Sequence, residues 1–102
     1  MKPGHTPAYL RAHSARAEGR LAALRGEDDR VEPSFEAAAA AFRAIGVRFW
    51  AAVCELELAE WLVSKDRNGE AEPHIAAARE TFERLGARPW LDRANATVTA
   101  RV

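Results

Sequence analysis

Two copies of one pattern stand 40 residues apart, and that repeat restricts the fold of this 102-residue chain more than any other feature. Glu32-Pro33-Ser34-Phe35 recurs as Glu72-Pro73-His74-Ile75. The correspondence continues without a gap, pairing Ala37, Ala38, Phe42 and Ile45 with Ala77, Ala78, Phe82 and Leu85, and Gly46, Arg48 and Trp50 with Gly86, Arg88 and Trp90. A fixed period of this length marks a stacked architecture in which each unit buries its apolar face on the next. A weaker echo at the same offset sets Tyr9 on Phe49 and Ala12 on Ala52, so the first helix reads as half of an earlier, degraded unit.

Each unit reads as helices. Phe35, Ala38, Phe42 and Ile45 are three or four residues apart, which puts them on one face of a helix from about Asp29 to Ile45. Asp29 and Glu32 have the spacing of an acidic capping box, and Pro33 then falls in the first turn, where its missing N–H has no intrahelical acceptor. Pro73 copies the device, and Gly46 and Gly86 read as left-handed C-caps. From Val47 to Ser64 apolar residues, Trp50, Cys54, Leu58 and Trp61 among them, occupy most of the circumference, with Glu57, Glu60 and Ser64 on one narrow stripe that reads as solvated. A helix of that kind needs cover on two sides and belongs in the middle of a stack.

The first helix, about Ala8 to Leu24, sets Leu10, Ala17, Leu21 and Leu24 on one side and arginines on the other. The last opens near Pro89 with Trp90 and Leu91, and Thr97, Val98 and Thr99 weaken its end. No run alternates with period two, so no sheet is predicted. The loops, 26–28, 65–69 and 86–88, are short, which makes successive helices antiparallel neighbours. The expectation is an all-α fold of about five helices, antiparallel hairpins stacked as a short α-solenoid, with a flexible segment 1–7 ahead of a single domain over 8–102.

Charge narrows the partners. Fifteen basic residues match fifteen acidic ones, and a balanced chain lacks the broad positive field that nucleic acid or an anionic membrane attracts. The distribution is uneven: residues 1–26 hold five basic side chains against Glu18, whereas residues 27–80 hold six basic and twelve acidic ones. Cys54 is the only cysteine, which fits a reducing cytoplasm and rules out an internal disulfide. No apolar run approaches the roughly 18 residues of a membrane span, and no secretory leader is recognisable.

Candidate sites are few. His5, His13 and His74 lie in separate segments without metal-ligand spacing, and Ser14, Ser34 and Ser64 lack a nucleophile elbow. Cys54 sits among apolar residues and reads as a buried, inert thiol. No catalytic, cofactor or metal site is assigned, and the chain reads as non-enzymatic. The residues singled out as an interaction surface are Trp50 and Trp61, about 20° apart on one helix and roughly 16 Å apart along it, together with Arg16 and Arg20 of the basic first helix. Packing between hairpins is the competing role for the tryptophans.

The run Phe82-Glu83-Arg84-Leu85-Gly86-Ala87-Arg88-Pro89-Trp90-Leu91-Asp92-Arg93-Ala94, preceded by Ala76, Ala77 and Ala78, resembles the tetratricopeptide-like region near the C-terminus of large bacterial signalling ATPases. These include LuxR-type regulators and ATPases associated with adenylate or guanylate cyclase domains. The likeness extends over residues 8 to 96 and implies a tetratricopeptide-like stack, although the period of 40 is longer than the standard 34. No phosphate-cradling Gly-x-x-x-x-Gly-Lys-Ser/Thr string is present, so the ATPase activity of that family is not carried over. The expectation is a non-catalytic protein-interaction module, a fragment or remnant of a larger cytoplasmic signalling or transcriptional regulator, whose partner is another protein or the regulator's own missing domains. Self-association as a homo-oligomer and small-molecule sensing are the alternatives.

Overall fold

A computed structural model of the chain describes residues 5–100. Its elements are α1 (His5–Arg25), α2 (Asp28–Ala44), α3 (Arg48–Ser64), α4 (Asn68–Leu85) and α5 (Arg88–Ala100), with no strand among the described residues. Of the expected N-terminal segment 1–7, residues 1–4 lie outside the described residues and the remainder begins α1.

The chain turns every 20 residues. Gly26, Gly46, Asp66 and Gly86 have φ of 73°, 76°, 59° and 66°, the left-handed region that a Cβ disfavours. After each, one N–H bonds back across the turn to the carbonyl five residues earlier. Glu27 reaches Ala22 at 2.9 Å, Val47 reaches Phe42 at 2.8 Å, Arg67 reaches Leu62 at 2.9 Å and Ala87 reaches Phe82 at 2.9 Å. This is the Schellman closure, which satisfies the last carbonyls of one helix. The same residues then accept from the next helix, as in Ala51 to Val47 (3.3 Å), Ala71 to Arg67 (3.2 Å) and Leu91 to Ala87 (3.0 Å). Connections of two or three residues follow, tighter than the loop expected over 65–69.

These turns displace the expected capping box. The N-cap of α2 is Glu27, without a side-chain cap bond, and the helix begins at Asp28, so Asp29 lies inside it. Pro33 is therefore the sixth helical residue, and Pro73 holds the same place in α4, which begins at Asn68. Both prolines leave a carbonyl four residues back without its helical donor, and both lie on the exposed side, where water can replace it.

The repeat is reproduced in three dimensions. Phe42 and Phe82 are fully buried and each stacks on the tryptophan eight residues later, Phe42 on Trp50 (centroids 6.3 Å, 28°) and Phe82 on Trp90 (5.9 Å, 27°). The faint echo is real as well: Tyr9 meets Phe42 edge-on at 6.1 Å, as Phe49 meets Phe82 at 6.1 Å. Thus α1 occupies the place before α2 that α3 occupies before α4.

Helix α3 packs against α2, α4 and α5, and its side chains reach α1, which explains its nearly continuous apolar surface. Val53, Cys54, Leu56 and Leu62 are inaccessible. The molecule measures 46 × 33 × 18 Å, so its thickness is that of two helices of about 10 Å diameter. Helices α1, α3 and α5 form one layer, and α2 and α4 the other.

The first helix departs from expectation. Its buried side is Ala12, Gly19 and Ala22, whereas Leu10, Leu21 and Leu24 are exposed. The cause is close approach to α2: a Cβ added to Gly19 would stand 3.0 Å from the Phe35 ring. Leucines have no room there, so the small residues face inward. Helix α5 continues to Ala100 despite its threonines, whose hydroxyls donate to carbonyls one turn back, Thr97 to Arg93 (3.1 Å) and Thr99 to Asn95 (3.3 Å).

Candidate interaction site

Three of the four residues singled out from the sequence meet where α1 crosses α3. The Arg16 guanidinium donates to both Glu57 oxygens, from Nε to Oε1 at 2.7 Å and from Nη2 to Oε2 at 2.9 Å, and lies 5.0 Å from the Trp50 ring centre. Arg20 approaches the same carboxylate at 3.7 Å but stays mostly exposed. His13 stands edge-on to Trp50 at 4.9 Å, and burial, followed by the neighbouring Arg16, lowers its pKa below the ordinary histidine value. Trp50 is thus half-buried under α1 and cemented to the core, in the packing role.

Glu57 does not line a solvated stripe. Its side chain is 9% exposed and its partner Arg16 is 16% exposed. The helical wheel placed it correctly away from the leucines of α3, but α1 covers Glu57 and supplies the cation. Glu60 is similarly bound, by the Nε and Nη2 of Arg93 on α5 at 2.7 Å each. Glu57 and Glu60 of α3 are thus ionic links between neighbouring helices of one layer. A bidentate Arg–carboxylate pair fixes orientation as well as adding energy.

Trp61 lies at the other end of α3, half-buried, with Lys65 and Arg67 at 5.9 and 5.6 Å from its ring. The same two cations bind the start of α2, Lys65 to Asp28 at 3.2 Å and Arg67 to Glu32 at 2.7 Å. The acidic first turns of α2 therefore close on the turn after α3, with Trp61 beneath. Trp50 and Trp61 share a helix face yet sit in separate ionic settings.

Residues missed by sequence reasoning form a cleft of about 390 Å³ between α2 and α4. Ala51 and Ala52 of α3 are its floor, Arg43 and Arg48 one wall, and Ala77, Glu80 and Thr81 the other. At one end Glu55 bridges the walls, accepting from Arg43 of α2 and lying 2.5 Å from Nδ1 of His74 on α4. The small floor residues were legible as alanines, but only the gap between α2 and α4 turns them into the bottom of a groove.

Cys54 is inaccessible, and burial together with the nearby Glu57 pushes its thiol up to about 12. Thiolate chemistry is suppressed at such a position. No cluster that could hold a metal ion occurs among the described residues, and none of their helices is long and apolar enough to cross a membrane. Comparison with known proteins found no matching family model, no matching curated protein and no matching solved structure.

Proposed function

We propose that the chain is a non-catalytic helical-repeat module that binds an extended peptide segment of another protein in the α2–α4 cleft. The observation that carries this reading is the groove itself. The repeated helices α2 and α4 stand apart over α3, leaving an alanine floor between rims that carry Arg43 and Arg48 on one side and Glu80 on the other. A floor without large side chains admits a backbone closely, and rims of opposite sign give a bound segment a polarity. The resemblance of residues 82–94 to the helical region of bacterial signalling ATPases supports placing the module in a larger cytoplasmic regulator, where the segment would come from a protein partner or another domain.

Selection of peptides from a displayed library against the whole chain, followed by titration of the winners, tests the proposal. The expected result is a binder whose affinity drops at least tenfold when Ala77→Trp fills the groove, with the helical signal and melting temperature retained. Peptides that bind the filled variant equally well, or the recovery of none, would sink it.

A further inference from the structure

The outer face of α1 takes no part in the packing of the fold. Leu10, Ser14, Ala17, Leu21 and Leu24 follow one another at spacings of four, three, four and three, the rhythm of a seam between two helices. At about 100° per residue they occupy a stripe roughly 80° wide, diametrically opposite the Ala12, Gly19 and Ala22 side that packs on α2. The leucines are bare: Leu10 is 57% exposed, Leu21 45% and Leu24 85%. Three leucines in one stripe on a surface helix form an interaction patch, unlike leucines scattered singly.

From this stripe and the charges beside it, we infer that a second copy of this chain docks on α1, the two α1 helices running antiparallel with Leu10 of each against Leu21 of the other. The flanking charges select that arrangement. Arg11, Glu18 and Arg25 line one edge of the stripe, and none of them makes an ion pair or hydrogen bond among the described residues. In the antiparallel register Arg11 of each copy meets Glu18 of the other, twice by symmetry, and the small Ser14 and Ala17 face each other at the centre, where the helices come closest. Parallel pairing in register would instead set Arg20 against Arg25, a repulsion at each edge. On the opposite edge of the antiparallel seam Arg20 stands across from the position of His13, whose ring is turned inward onto Phe42 and Trp50. The seam from Leu10 to Leu21 of each copy is only about 17 Å long at 1.5 Å per residue, so the interface falls at the small end of specific contacts and the association is weak and concentration-dependent.

Sedimentation equilibrium of the full chain, over roughly 1–300 μM, reads the result directly. The mass is expected to rise from 11.2 kDa toward twice that value. Leu21→Glu abolishes the rise while leaving the melting curve nearly unchanged, because the side chain is about half exposed and stands outside both core clusters. Glu18→Arg weakens association about tenfold, and combining it with Arg11→Glu restores it. A mass fixed at 11.2 kDa throughout overturns the proposal and leaves the stripe to a different protein. A dimer indifferent to Leu21→Glu also overturns it, and one lost with Leu21→Glu yet unmoved by the charge reversals overturns the antiparallel register.

Discussion

Among the described residues, Asp66 is the only non-glycine with a left-handed backbone. It occupies the turn position that Gly26, Gly46 and Gly86 fill elsewhere, and it holds a φ of 59° with a side chain that makes no ion pair or hydrogen bond among the described residues. Asp66→Gly is expected to raise stability by about 0.5–1 kcal/mol, measured by thermal or urea unfolding, because it removes the Cβ from a left-handed residue. Cys54 gives a second test. Its thiol should resist alkylation in the native chain at pH 8 and react fully in denaturant. The raised pKa also has a sign in stability: the folded chain holds the proton more tightly than the unfolded one. The Cys54 contribution is therefore complete below the ordinary value of 9.0 and is lost as pH climbs toward about 12. Urea unfolding at pH 8 and pH 10 should show the decline, and Cys54→Ala should reduce it. The apolar neighbours of Cys54 in the sequence suggested an inert thiol, and its complete burial supplies the reason.

At the level of helices, packing distance decides orientation. In α1 the leucines look like the obvious inner face, yet Gly19 meets Phe35 and the leucines stay out. Forty residues on, Ala59 and Ile75 occupy the corresponding places, a larger residue in the first helix offset by a smaller one in the second. Gly19→Ala alone is caught between a helix-propensity gain of about 1 kcal/mol and a ring that must shift. In the Phe35→Ile background the ring is gone, so Gly19→Ala should stabilise by close to that full amount, and a double-mutant cycle would show favourable coupling of about 1 kcal/mol. Additive effects would show that the close approach carries no strain. The ion pairs between helices follow the same logic. Arg16 finds Glu57 from 41 residues away and Arg93 finds Glu60 from 33, separations that no helical wheel spans.

The whole molecule is a slab whose buried core is unevenly distributed along its length. The first core cluster runs from Ala12 to Ile75 and involves α1 to α4, while the second holds Ala52, Val53, Leu56, Ala78, Phe82 and Ala94 and is the only one of the two with a buried residue of α5. Hydrogen exchange should therefore be slowest in α3, which is covered by its neighbours, and fastest in α5, which adds little to the core. Equal protection of the two would contradict this picture of the stack. The period of 40, the helices and their order were readable from the residues, because helical spacing and turn glycines are properties of neighbours in the chain. Which side of α1 faces inward, which cation meets each carboxylate of α3, and the existence of a groove over Ala51 and Ala52 came only from the tertiary structure. Those features depend on how closely two helices approach and on charges from distant segments, and a one-dimensional pattern encodes neither quantity.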